Sequence, residues 1–145
     1  MPYQVKQFTT GTPEYEKALE LRNRILRIPL GLQFTEAELS KDQYDQHFGL
    51  FNDDTIAACL TLTEVPGEGM KMRQVAVEQG LQGKGLGRVL ASAAEEYTRQ
   101  KGIDLMFCNA RKVAAPFYLQ LGYEITGGEF TEVGIPHYRM QKRLL

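Results

Sequence analysis

The residues of this chain best suited to do chemistry by spacing lie between Glu78 and Arg88, where Gly80, Gly83, Gly85 and Gly87 fall within eight residues. They follow the apolar stretch Val75-Ala76-Val77 and precede a helix-spaced run, so they form a strand-to-helix loop. Glycine there lets successive backbone N–H groups turn toward one point without a Cβ in the way. The helix start adds unpaired N–H groups at the positive end of its dipole. Such a loop takes a phosphate, and Lys84 and Arg88 add charge to it. Two common phosphate loops fail here at the residue that carries their chemistry. The nucleoside-triphosphate pattern G-x-x-x-x-G-K-[ST], begun at Gly80, reaches Gly85 correctly and then meets Leu86 in place of the lysine. The dinucleotide pattern G-x-G-x-x-G fits Gly83 and Gly85 but puts Arg88 at the third glycine; begun at Gly85, it puts Leu90 there.

The elements that must position this loop follow from periodicity. Gln4–Phe8 reads as a first strand, and Thr12-Pro13 as the cap and first turn of a helix that runs to about Ile28, before Pro29 and Gly31. Its apolar stripe is Tyr15, Ala18, Leu19, Ile25 and Leu26, with Arg22 in the middle, either ion-paired or facing a ligand. The turn after it, Ile28–Phe34, is rich in apolar residues, and Thr35-Glu36-Ala37-Glu38 is a capping box that opens a short helix. Phe48–Phe51 and Ile56–Val65 flank a turn at Asn52-Asp53-Asp54, and Ala58, Leu60 and Leu62 alternate with Cys59, Thr61 and Thr63 as in a half-buried strand. In Met70–Val77 the apolar parity slips between Met72 and Val75, which implies either a bulge at Arg73-Gln74 or burial on both faces. Leu86, Val89, Leu90, Ala93, Ala94 and Tyr97 mark a third helix that stops at Lys101-Gly102. Ile103–Cys108 is a central strand, about Val113–Leu121 a short helix, and Tyr123–Phe130 and His137–Leu144 two last strands joined by a mobile-looking loop. The order β-α-α-β-β-β-α-β-α-β-β defines a mixed α/β domain with one βαβ crossover.

Composition bounds the function. The chain has 145 residues, 43% hydrophobic and 24% charged, which suits one globular domain with a core and excludes disorder and a coiled coil. Seventeen Lys+Arg against eighteen Asp+Glu leave a net charge of −1, so no bulk charge draws it to nucleic acid or an anionic membrane. Two His and two Cys without ligand spacing argue for no metal. Cys59 and Cys108 read as reduced core thiols or, alternatively, as a pair. The start MPYQVKQFTT has no apolar signal core and no apolar run reaches the roughly 20 residues that span a bilayer, so the expected location is cytoplasmic.

A third loop pattern fits. Gln82-Gly83-Lys84-Gly85-Leu86-Gly87, Q-x-x-G-x-G after a strand, resembles motif A of the GNAT superfamily of N-acetyltransferases. Asn109-Ala110-Arg111 and Ala114-Ala115-Pro116-Phe117-Tyr118-Leu119-Gln120-Leu121-Gly122-Tyr123 resemble the family's motif B, in the expected order and spacing. The resemblance covers about residues 3–144, with specific motifs only in 73–88 and 109–123. It implies a single-domain GNAT-like fold: a mixed, mostly antiparallel sheet of six to seven strands, about four helices, and a bulged, splayed central strand pair.

The resemblance also implies a reaction: acetyl transfer from acetyl-CoA to a primary amine, expected to belong to a small molecule, by direct attack on the thioester. The rivals are a protein or peptide amine and a non-enzymatic acyl-CoA-binding module on the same fold. Gln82, Gly83, Lys84, Gly85, Leu86, Gly87 and Arg88 are then cofactor-binding, holding the CoA pyrophosphate through backbone N–H groups. The backbones of Val75, Ala76 and Val77 pair with pantetheine in strand fashion, and Phe117 belongs to the same side. Asn109 either reaches the cofactor or merely ends its strand. An ammonium must lose its proton before attack, the oxyanion needs donors, and the departing thiolate benefits from an acid. Tyr118 matches the family's tyrosine for the acid role, or else only orients the thioester. His137 is the candidate base with a suitable unperturbed pKa, or else stabilises its loop or contacts substrate; Glu64, Glu132 and a water chain are the alternatives. By family analogy Gly31–Phe34 and Glu129–Val133 frame the acceptor pocket. Dimers are common in the family, and no signature of a homodimer stands in this sequence.

Overall fold

The computed structural model describes residues 3–145. The strands are β1 (Tyr3–Phe8), β2 (Gln46–Asn52), β3 (Thr55–Val65), β4 (Gly69–Val77), β5 (Leu105–Arg111), β6 (Glu124–Glu132) and β7 (Ile135–Arg143). The helices are α1 (Pro13–Arg22), α2 (Glu36–Ser40), α3 (Leu86–Gln100) and α4 (Ala115–Gln120). The strands form one sheet in the order β1-β2-β3-β4-β5-β7-β6, antiparallel except at the β4–β5 crossover. This is the α/β architecture expected from the sequence.

Helices cover both faces of the sheet. On one face α3 and α4 bury Leu86, Leu90, Ala94 and Tyr118 against Leu60, Leu62, Met70, Met72, Met106, Cys108 and Met140. On the other, α1 buries Tyr15, Ala18 and Leu21 against Phe8, Phe51, Ile56, Cys59 and Ala76. β3 is therefore buried on both faces, Cys59 and Thr61 included, rather than half-buried. Its alternation hides this because the second face holds small residues that accept a helix. Cys59 and Cys108 lie in different cores, both as free thiols.

The parity slip in β4 is a bulge. Thr61 pairs with Arg73 and Cys59 with Ala76, so Gln74 and Val75 stand opposite Leu60 alone. Gln74 takes a left-handed φ of 55° to make the step. Met70, Met72, Val75 and Val77 then all pack on the α3 side, while Ala76 faces α1. β4 and β5 pair only through Met70–Met106 and Lys71–Phe107, and beyond Lys71 the two strands part.

Three local expectations change. Thr12 caps α1 as its residue type predicts, accepting from the Tyr15 N–H at 3.2 Å. The helix, however, does not run regularly to Ile28. After Arg22 it widens into a π-helical turn, Asn23–Arg27, then tightens into a 3-10 turn, Ile28–Leu30, that Gly31 ends at φ 73°. A π turn adds a residue to the repeat and so rotates the segment after it. β6 and β7 meet not through a long loop but through the two-residue turn Val133-Gly134, φ 45° and 77°, the positive-φ hairpin form. On α3, Val89 is exposed and Glu95 is buried, where it accepts from the Tyr123 hydroxyl at 2.9 Å and Lys142 Nζ at 3.0 Å.

Candidate active site

The glycine loop adopts the form that its residues allow. Gly80, Gly83 and Gly85 have φ of 86°, 80° and 81°, values that a side chain would strain. The Leu81 N–H closes a turn onto the Glu78 carbonyl at 3.0 Å, and the first bond of α3 runs from Val89 N–H to the Gly85 carbonyl at 3.1 Å. Between them, the amides of residues 82–88 have no backbone acceptor among the described residues. Lys84 and Arg88 are exposed beside these amides and make no ion pair among the described residues. The Gln82 side-chain amide donates to the Val77 carbonyl at 3.2 Å and so ties the loop to the end of β4. Gly87 has a packing role: a Cβ there would stand 3.0 Å from the Phe117 ring, so glycine is what lets α4 close on the first turn of α3. The set fits the phosphate-bearing part of a CoA, because a run of free amides at a helix start is the chemistry such a group needs.

Where β4 and β5 part, a cleft of about 370 Å³ opens between the two strands. Tyr118, Val75, Asn109 and His137 line it, together with Glu132. Ala76 and Val77 do not. The Ala76 side chain is buried under α1, so only its backbone is available to a ligand. From Met72 onward the β4 edge toward β5 carries no ladder partner, which leaves it open to a strand-like ligand.

Tyr118 is buried, its ring edge-on to Phe117 at 5.0 Å and Tyr123 at 5.8 Å. Its hydroxyl makes no hydrogen bond among the described residues. Burial, and then the nearby Cys108, push its pKa far above the ordinary phenol value, so it carries its proton throughout the physiological range. His137 is also buried. Its Nδ1 lies 2.9 Å from the Ile135 carbonyl, which can only accept, so Nδ1 carries the hydrogen and Nε2 of the neutral ring is bare. Nε2 stands 3.6 Å from Glu132 Oε2, and Asn109 Nδ2 donates to Glu132 Oε1 at 3.3 Å. The Val133-Gly134 turn brings Glu132 and His137 together: it folds β6 onto β7 within two residues.

Other expectations are redrawn. Glu64 is exposed and lies outside the cleft, because it stands opposite Met70, where β4 and β5 are still paired. Arg22 takes the ion-paired alternative: it is buried and paired with Asp42 at 2.8 Å. Gly31–Phe34 do not line the cleft, whose wall there is Leu26, Arg27 and Glu38. Phe34 instead lies under the guanidinium groups of Arg22 and Arg27, 4.8 and 4.3 Å from its ring centre. Burial raises the Glu38 pKa, but the Thr35 N–H and Arg27 outweigh it and hold the carboxyl below its usual value. The cleft cations Arg27, Lys71, Arg73 and Arg111 carried no functional signal in the sequence except that Arg73 opens the first motif range and Arg111 sits inside the second.

The fold is that of an acyltransferase. The acetyltransferase (GNAT) domain family matches residues 30–144, and the chain belongs to that family. It is similar to Uncharacterized protein YyaT of Bacillus subtilis, 27% identical over 97% of this chain and 95% of the relative. It also resembles Uncharacterized N-acetyltransferase YitI of the same organism, 25% identical over 92% and 94%. An aminoglycoside 6'-N-acetyltransferase solved with coenzyme A shares the fold, with a TM-score of 0.80 and 15% identity over 98% of this chain and 97% of that one. Among the described residues no helix is long and apolar enough to cross a membrane.

Proposed function

We propose that this acyltransferase uses acetyl-CoA and acetylates a primary amine of a small molecule. One observation carries the reading: Tyr118 and His137 converge on one cleft, at the point where β4 offers an unpaired edge before it runs on into the glycine loop. Bound there, acetyl-CoA would supply the activated acyl group. Amides of residues 82–88 with Lys84 and Arg88 hold its phosphates, and the backbone of Val75–Val77 aligns its arm. The bulge at Gln74-Val75 turns backbone N–H groups out of the β3 ladder, where they can donate to the acyl oxygen.

His137 Nε2 takes a proton from the acceptor ammonium, and Glu132 beside it stabilises the imidazolium that forms. Tyr118 holds a proton at its hydroxyl for the sulfur that leaves. The test is thiol release from acetyl-CoA with a panel of small primary amines. Release that depends on the amine supports the reading. Tight binding of acetyl-CoA with no release for any amine supports a binding module instead.

A further inference from the structure

The acceptor cleft carries positive charge that no protein carboxylate meets. Side chains at 71, 109, 111 and 137 leave the sheet on the face opposite α3, because Met70, Met72, Cys108, Ala110 and Met140 occupy the α3 side. On that face Arg27 is paired with Glu38 at 3.0 Å and Arg73 with Asp45 at 3.3 Å. Lys71 and Arg111 line the same cleft and have no carboxylate at ion-pair distance among the described residues. Arg111 is partly buried and gives one N–H to the Leu26 carbonyl at 2.7 Å, which fixes the guanidinium and leaves the rest of its fork open. Burial, and then the charge of Arg27, lower its pKa; the strain on its charge is what an incoming anion would relieve.

The position of this charge selects the ligand. Arg111 stands directly opposite His137 across the β5–β7 ladder, so the two side chains rise side by side from one face. His137 and Glu132 form the pole for an amine, and Arg111 with Lys71 a pole for an anion next to it. The glycine loop opens α3 on the other side of the sheet, so the phosphates that it holds do not reach this pole. Building on the acetyl-transfer reading, we propose that the acceptor is an amino acid: a small molecule whose amine lies close to a carboxylate, with the carboxylate held by Arg111 and assisted by Lys71.

The test uses matched acceptors with the wild-type protein and acetyl-CoA, read by thiol release. α-Amino acids are compared with their carboxamides, ω-amino acids with the amines that lack the carboxylate, and one arm is a phosphate-bearing amine. A charge-assisted bond to the carboxylate predicts that its removal lowers kcat/KM about 10- to 100-fold, mostly through acceptor KM. The α and ω arms tell which amine is used. Arg111→Gln should abolish the preference for carboxylate acceptors, and Lys71→Gln should reduce it, with acetyl-CoA binding retained in calorimetry. Carboxamides accepted as well as their acids, or a phosphate-bearing amine preferred, would overturn the assignment while leaving acetyl transfer intact. No release from any acceptor, with acetyl-CoA bound, overturns the transfer reading and this one with it.

Discussion

Tyr118→Phe separates chemistry from architecture. The hydroxyl has no partner among the described residues, whereas the ring is packed between Phe117 and Tyr123. The substitution keeps the ring, so folding should change by no more than about 1 kcal/mol, a Tm shift of about 2–4 °C. The rate effect is larger. A bond from the hydroxyl to a departing thiolate is charge-assisted and contributes about 1.5–3 kcal/mol in the transition state, and full proton transfer adds to that. We expect kcat to fall about 10- to 1000-fold, with the affinity for acetyl-CoA unchanged. The assay is steady-state thiol release with calorimetric binding of acetyl-CoA in parallel. Burial supplies a second readout. An acid must be protonated to act, and the raised pKa of Tyr118 keeps it so past pH 10, so wild-type kcat should show no alkaline loss near an ordinary phenol pKa. Wild-type turnover in the variant refutes the acid role. An alkaline loss near pH 10 in wild type that disappears in the variant refutes the argument from burial.

Three further outcomes are expected. Asp42→Asn leaves Arg22 buried without a counter-charge and weakens the bond that Tyr15 Oη donates at 2.6 Å; it should cost about 3–5 kcal/mol and lower Tm by at least about 6 °C in thermal melts. Reversing both loop charges, Lys84→Glu with Arg88→Glu, should raise KM for acetyl-CoA about 10-fold or more at low salt and by less at high salt, since both are exposed beside the free amides. Burial pushes both thiols up to about 12, so at pH 8 Cys59 and Cys108 should react with a disulfide reagent at least about 100-fold more slowly than a free thiol until the protein is unfolded. Rapid labelling of either one in the native protein would contradict that burial.

What the sequence reveals here is what depends on neighbours along the chain. The glycine loop, the Thr12 and Thr35 caps and the β4 bulge are legible because each is a local demand on φ or parity that only certain residues meet. What stays hidden depends on partners distant in sequence. Arg22 sits in an apolar stripe, and nothing in its surroundings names Asp42, twenty residues on, as its partner. Thr61 reads as outward-facing until α1 is laid across β3. Lys71 and Arg111 are ordinary strand-end charges until β4 and β5 part and leave both without a carboxylate. The missed π turn is of the same kind, since no residue of Asn23–Arg27 demands it by type.

The hidden pairings concentrate on one side of the sheet, and the cause is what each side must do. The α3 side presents free backbone amides, and backbone geometry is set by local sequence, so its glycines are conspicuous. The α1 side lines the cleft with side chains, and their placement is set by packing. Asp42 illustrates this: it takes Arg22 at 2.8 Å and the Tyr15 hydroxyl at 2.6 Å, while its carbonyl meets His47 Nε2 at 2.8 Å. That buried cluster fixes the end of α1 against the segment before β2. The π turn after α1 then carries Leu26 and Arg27 into the cleft wall, where the Leu26 carbonyl holds Arg111. The orientation of Arg111 thus depends on an ion pair that never touches the cleft. On the proposed reading, acceptor choice and acyl-donor binding fall on opposite faces of β4 and β5, and a substitution on one face is expected to alter its ligand while leaving the other in place.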